Sequence, residues 1–366
     1  MLKVVWIVPG FSSGEQDACI PALLELARAL AKRCRLTVIS MRYPYERATY
    51  QTAGAVVHSI GGGHRGPLHT PGIWRNTLRT AGRVSGDVLH AFWAYEPGVI
   101  AAGLASRMPV VISLAGGELV HLPEISYGLW GKWRTRRLIQ WSLPRARAVT
   151  AGSRFLIRKA AALDLNCRIQ HLPLGVNLQR WPYPLTPFHP LTVLNVGSLQ
   201  PVKGHRVLLK AFQQISAAEP AAALKIAGSG LMRSELQEMA AALGLEGKVR
   251  FVAEVAYQDM IAVYAGASVF VQASLHEAQG MALLEAAACG VPVAGTEVGV
   301  LADLVPEAAF GATAGDAESL ARAVLDNLRN RAEAADRAAL ARRIVAEEFS
   351  IEAAADRFLQ LYSSLC

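Results

Sequence analysis

Two glutamates, Glu277 and Glu285, are separated by seven residues and stand on either side of Gly280 in VQASLHEAQGMALLEAAACGVPVAGTEVG, the stretch from Val271 to Gly299. The pattern reads as a strand running into a loop with Glu277 and Gly280. A helix then starts near Met281, carries Glu285 one turn in, and stops at Cys289-Gly290 with Pro292 behind it. The amides of Met281, Ala282 and Leu283 at such a helix start lack intrahelical partners and lie at the positive end of the helix dipole, so they suit a phosphate. Glu285 can accept two hydrogen bonds from a vicinal diol such as a ribose. Glu277, in the loop, can reach hydroxyls of a sugar beyond the phosphates. A pair of solvated helix glutamates is the plain alternative.

The elements that must position these residues are those of two α/β domains. In the first half, apolar runs at Val4–Val8, Leu36–Ser40, Val88–Phe92, Val110–Leu114, Ala148–Ala151 and Ile169–Leu172 alternate with helical patterns such as that around Leu23–Ala31. Continuous apolar strands in β-α-β order predict a parallel sheet covered on both faces. A second series follows: Leu191–Val196, Ala223–Ala227, Val249–Val252, Val269–Gln272 and Pro292–Ala294, then helices at Ala332–Glu347 and Ile351–Leu361. Between the two series, WPYPLTPFHP sets Pro182, Pro184, Pro187 and Pro190 in one short extended segment that suits a linker. The expected division is therefore 1–184, 185–346, and a C-terminal helix, 347–366, returning to the first domain. In doubly wound sheets a ligand sits at the carboxyl ends of the strands, here in a cleft between the domains.

Composition narrows the function. The 366 residues carry a net charge of +8, but residues 1–184 hold 23 Lys and Arg against 9 Asp and Glu, while the remainder holds 14 against 20. Only the first half is built to meet an anionic surface or an acidic acceptor. Within it, LWGKWRTRRLIQW, residues 129–141, interleaves Trp130, Trp133 and Trp141 with Lys132, Arg134, Arg136 and Arg137. That segment either lies against anionic lipid or packs its tryptophans inward and solvates its arginines. No apolar run is long enough to span a bilayer, and the start reads as a buried strand rather than a signal peptide. Five scattered cysteines with no C-x-x-C pair point to a reducing cytosol and away from zinc. The basic charge comes without any nucleic-acid recognition motif.

Glu277, Gly280, Glu285, Gly290 and Pro292 together resemble the hallmark of glycosyltransferase family four, the retaining GT-B glycosyltransferases also grouped as glycosyl transferases group 1. The resemblance implies two Rossmann-like domains facing across a cleft and a hexose-type sugar moved from a UDP- or GDP-sugar to a hydroxyl of a glycan or lipid-linked glycan, as in cell-envelope polysaccharide synthesis. It implies no metal and no cofactor, and makes Glu277 and Lys203 the catalytic pair. Asn195-Val196-Gly197-Ser198-Leu199 with Lys203-Gly204 looks like the family's phosphate loop, with Lys203 taking up negative charge as the nucleotide leaves and Gly197 and Gly204 admitting the backbone. Ser198 stands where arginine is common. Gly228 lies in the family's glycine turn, and Val255 follows the strand, Phe251 to Glu254, whose end holds the base. In the first domain, Gly14 in PGFSSGEQD is the expected diphosphate neighbour. His90, Gly116, Gly117 and Glu118 are candidates for the acceptor side, although His90 also fits a core histidine and Gly116 to Glu118 an ordinary strand-ending turn. Ala115 stands where many relatives have histidine. Two other readings stay open: a sugar-nucleotide epimerase of the same architecture, and a non-catalytic nucleotide-sugar-binding subunit. The implied location is the cytoplasm, with the cytoplasmic membrane face if 129–141 meets lipid.

Overall fold

A computed structural model describes residues 1–15, 17, 19–63, 69–181, 191–253 and 255–366. The four linker prolines and Glu254 lie outside the described residues. The chain forms two compact units, Met1–Gly175 with Ile351–Cys366, and Val176–Ser350. These divisions fall earlier and later than positions 184 and 346. Contacts within the second unit account for the difference: the Val176 amide donates to the Phe349 carbonyl at 2.7 Å, and Trp181 is fully buried among Tyr257 and Tyr264.

The first unit is built on an eight-stranded sheet: β1 (Lys3–Gly10), β2 (Arg35–Tyr43), β3 (Ala48–Thr52), β4 (Ala55–Ser59), β5 (Val88–Phe92), β6 (Val110–Leu114), β7 (Ala148–Ala151) and β8 (Ile169–His171). Their spatial order is β3-β4-β2-β1-β5-β6-β7-β8, parallel throughout except for β3 against β4. That hairpin turns on Ala53 and Gly54, both at positive φ, the geometry whose twist suits a two-residue turn. The helix Ile351–Ser364 packs its Ala354, Phe358 and Tyr362 into the core of this unit beside Trp6, Leu23 and Phe92.

The second unit carries a six-stranded, fully parallel sheet: β9 (Thr192–Val196), β10 (Ala223–Ala227), β11 (Val249–Val252), β12 (Val269–Gln272), β13 (Val293–Thr296) and β14 (Phe310–Ala312), in the order β11-β10-β9-β12-β13-β14. The strand order reverses between β1 and β5 in one sheet and between β9 and β12 in the other. Such switch points open a crevice between loops that leave in opposite directions, which is where doubly wound sheets bind ligands.

Burial bears on the inward-packing reading of the tryptophan-rich segment. Helix Trp133–Ser142 turns Ile139 and Ser142 inward, while Trp133 is 59% and Trp141 39% exposed. Arg134 and Arg137 lie over the Trp133 ring at 5.2 and 5.9 Å, and Arg145 over that of Trp141 at 4.4 Å. The reading in which Trp133 and Trp141 pack into the core is therefore overturned: the inward face is already filled by Ile139 and its neighbours. No helix among the described residues is long and apolar enough to cross a membrane.

Candidate active site

At the β9/β12 switch point, three loops interlock through glycines. Gly204 adopts φ 68°, and a Cβ there would stand 1.9 Å from the Ala273 carbonyl oxygen; at Gly228 it would stand 2.0 Å from that of Gly197. The loops after β9, β10 and β12 thus pack backbone on backbone, with the Leu275 amide donating to the Val202 carbonyl, and the loop after β13 joins them through the Val300 amide and the Gln279 carbonyl. Gly204 is required for this contact between loops. At Gly197 the nearest atom to a Cβ would be Lys203 Cδ at 3.8 Å, so its outer face is open.

This scaffold brings together two of the predicted residues from distant positions. Lys203, at the end of a short turn, directs Nζ to Glu277 Oε1 at 2.6 Å, and the same oxygen accepts from Ser274 Oγ at 2.7 Å. The ammonium keeps two donors for other oxygens, and Glu277 keeps Oε2 as an acceptor. Gly280 caps helix Met281–Ala288 at φ 102°, where a side chain would press on Gln272 Oε1. Asn195, Lys203, Gln272, Ser274, Glu277 and the helix start at Gly280 to Leu283 line one small pocket. It therefore has one cation, one carboxylate and a row of helix-start amides on its wall, a combination suited to a phosphate joined to a hydroxylated group.

Glu285 lies deeper in the same helix and is 8% exposed. Its Oε2 accepts from Tyr264 OH at 2.8 Å. Burial pushes its carboxyl up to about 7, against the pull of hydrogen bonds from Tyr264 and Tyr257 and the charge of Arg180. Ser198 is exposed, and Gly228 and Val255 are half-buried, in loops beside the pocket rather than on its wall. Ser274, Gln272, Tyr257 and Tyr264 escape sequence reasoning. Only the step from β12 into the loop hints at the first two, and nothing local marks the tyrosines. Among the described residues, no three His, Cys, Asp or Glu side chains converge into a metal-binding group.

In the first unit the acceptor-side candidates need correction. His90 is fully buried, with Nδ1 at 2.6 Å from Tyr362 OH and Nε2 at 2.7 Å from Ser113 Oγ. Burial drives its pKa down to about 3, so it is a neutral strut between β5 and the C-terminal helix and is not available to an acceptor. Glu118 is 1% exposed, and its carboxylate accepts the amides of Gly116 at 2.7 Å, Ala94 at 3.1 Å and Ala115 at 3.2 Å. Burial raises its pKa while those amides oppose the rise, and the side chain works as a knot for the loops after β5 and β6 rather than as a substrate contact. Gly116 and Gly117 lie under the rings of Trp93 and Tyr127, where a Cβ would come within 2.7 Å of each. Trp93 itself sits at φ 74°, an uncommon conformation for a bulky residue, at the end of β5 on the switch point. Gly14 lies in the loop after β1, where an added Cβ would meet nothing within 4 Å.

Comparison with known proteins extends this picture. The profile of the family described as Glycosyl transferases group 1 matches residues 186–358, and that of Glycosyltransferase Family 4 matches 22–180. A GDP-mannose-dependent monoacylated alpha-(1-6)-phosphatidylinositol monomannoside mannosyltransferase of Corynebacterium glutamicum is 31% identical over 59% of this chain and 62% of its own length. A D-inositol 3-phosphate glycosyltransferase of Rhodococcus opacus is 35% identical over 46% of this chain and 39% of its own. The matches thus span less than two thirds of these relatives. Among solved structures, a sucrose-phosphate synthase from Thermosynechococcus elongatus superposes with a TM-score of 0.85 at 19% identity over 99% of both chains. HepE of Anabaena, in complex with UDP and glucose, superposes with a TM-score of 0.75 at 18% identity, over 99% of this chain and 100% of that one. The fold is that of GT-B proteins, and with one profile over most of each unit the chain belongs to the family 4, group 1 glycosyltransferases.

Proposed function

We propose that the protein transfers a hexose-type sugar from a nucleoside diphosphate donor to a hydroxyl acceptor, with retention of anomeric configuration and without a metal. The observation that carries this reading is the Lys203–Glu277 pair at the head of helix Met281–Ala288, with Glu285 buried one turn further on. The diphosphate would take the two remaining Lys203 donors and the amides of Met281 to Leu283. Negative charge growing on the leaving nucleotide then meets a fixed cation and fixed dipoles, which lowers the barrier to departure. Glu277 would hold a sugar hydroxyl, Glu285 the ribose, and the backbone near Val255 the base. The open face of Gly197 would allow close approach of the diphosphate. A retaining attack from the face on which the nucleotide leaves requires no protein nucleophile.

The mannosyltransferase and inositol phosphate relatives support a polyhydroxylated, anionic or lipid-linked acceptor. Exposed Trp133 and Trp141 among arginines support peripheral contact with anionic lipid at the cytoplasmic face.

Thermal-shift screening with UDP-, GDP- and ADP-sugars, followed by product analysis by NMR, tests the reading. The matching donor at about 100 times its Kd stabilises the fold by about 2.7 kcal/mol. Transfer with retention is expected with acceptor present, and Lys203→Ala lowers kcat by roughly 10²–10³. Interconversion of the donor sugar without transfer would instead identify an epimerase. Donor binding with no turnover would identify a binding subunit.

A further inference from the structure

We propose that Tyr264 is the positioning residue of the donor site: its hydroxyl, with that of Tyr257, fixes the Glu285 carboxylate so that its remaining lone pairs face a vicinal diol. This rests on the reading of Glu285 as the ribose contact.

Tyr264 is fully buried on helix Met260–Ala265, and its hydroxyl reaches Glu285 Oε2 at 2.8 Å and the Ala282 carbonyl at 3.3 Å. A phenylalanine would fill the same space with no polar atom to satisfy, and an apolar partner in place of Glu285 would spare the desolvation of a carboxylate. The buried Tyr–Glu pair is therefore not what the core needs for stability. Its value lies in orientation. An ionised carboxylate offers about four lone-pair sites; the Tyr264 and Tyr257 hydroxyls take two of them, and the two that remain can receive the two hydroxyls of one ring.

The mount is rigid. Trp181, itself fully buried, meets Tyr264 edge to face at 5.4 Å and Tyr257 at 5.8 Å, and Arg180 lies over the Tyr257 ring at 4.8 Å. Segment 176–181 thus braces both phenols against the helix that carries Glu285. Among the described residues, the ionisable groups around Glu285 are Tyr264, Tyr257 on the preceding turn, Arg180, and Cys289 on its own helix. Arg342, on helix Arg331–Glu348, stands behind them, bonded to the Ala288 carbonyl. Of these, the two hydroxyls and Arg180 favour the carboxylate, and burial opposes it. With the balance near neutrality, loss of one hydroxyl moves the carboxylate toward its protonated form, in which one acceptor becomes a donor.

Calorimetric binding of UDP and GDP, and of their 2′-deoxy counterparts, to the full chain and to Tyr264→Phe and Glu285→Ala between pH 6 and 9 tests the assignment. Tyr264→Phe is expected to weaken the ribonucleotide about tenfold at pH 7, the scale of one hydrogen bond to a charged group. The loss should shrink toward pH 9, with the acid limb of binding displaced upward. The 2′-deoxy nucleotide, which keeps only the 3′-hydroxyl of the diol, should show a clearly smaller deficit with Tyr264→Phe than the ribonucleotide. A deficit equal for both nucleotides and flat with pH would overturn the proposal, as would no deficit at all. If Tyr264→Phe fails to fold, Tyr257→Phe gives the same readouts. Should Glu285→Ala leave ribonucleotide binding intact, the ribose reading itself fails; if only Tyr264→Phe is silent, the reading stands and the positioning role is lost.

Discussion

Glu285 and His90 are both buried, yet they tie stability to pH with opposite sign. Burial raises Glu285 to about 7, above its ordinary value near 4.5, so the folded state holds this proton more tightly than the unfolded chain. Its contribution is fully present below the ordinary value and is lost as pH rises through 7, a change of about 3 kcal/mol. Glu285→Gln, uncharged at every pH, is therefore expected to melt roughly 5 °C higher than wild type at pH 8 and to lose that advantage at pH 5, while binding nucleotide more weakly. Scanning calorimetry across pH checks this; a variant no more stable at pH 8 contradicts the buried-charge account. His90, held down to about 3 by burial, contributes stability above its ordinary value of 6.5 that is lost as pH falls toward 3. His90→Gln should flatten the acid side of the stability profile between pH 6.5 and 5, read by the same scans.

The elements locate the chemistry through their loops, and the glycines separate two kinds of requirement. Gly204→Ala drives a Cβ into the Ala273 carbonyl at a left-handed position, so the loops after β9 and β12 must part. We expect a loss of about 2–4 kcal/mol in stability, together with weaker nucleotide binding. Gly197→Ala meets only the Lys203 stem and should change stability by no more than about 0.5 kcal/mol. If the diphosphate crosses that open face, Gly197→Ala nevertheless raises the donor KM severalfold; unaltered kinetics would move the ligand elsewhere. Most strands were legible because a buried parallel strand must be apolar at nearly every position. The β3–β4 hairpin was not: Ala48–Thr52 is half polar at the sheet edge, and Ala53 gives no hint of the positive φ it adopts.

At the scale of the molecule, charge and apolar surface coincide. The excess of Lys and Arg lies in the first 184 residues, where Trp133 and Trp141 stand exposed among arginines. Vesicles containing anionic lipid should retain the protein in sedimentation assays. Binding should fall steeply as salt rises from about 0.05 to 0.3 M, since screening shortens the reach of the charges. Replacing Trp133 and Trp141 with alanine should abolish most retention without altering turnover of a soluble acceptor. Equal retention on neutral vesicles, or by the double variant, would remove lipid contact from the proposed function.

The sequence by itself determined the α/β class, the two strand series and the Glu277–Glu285 spacing, because a loop-to-helix transition and its cap are settled over a few residues. It also marked Lys203, but not that Lys203 would pair with Glu277 across 74 positions of chain. Burial and charge pairing depend on which distant segments are folded against a residue. That is why Glu118 became a loop knot and His90 a core strut, and why the tyrosines that hold Glu285 came into view only when helix Met260–Ala265 and Trp181 closed over it.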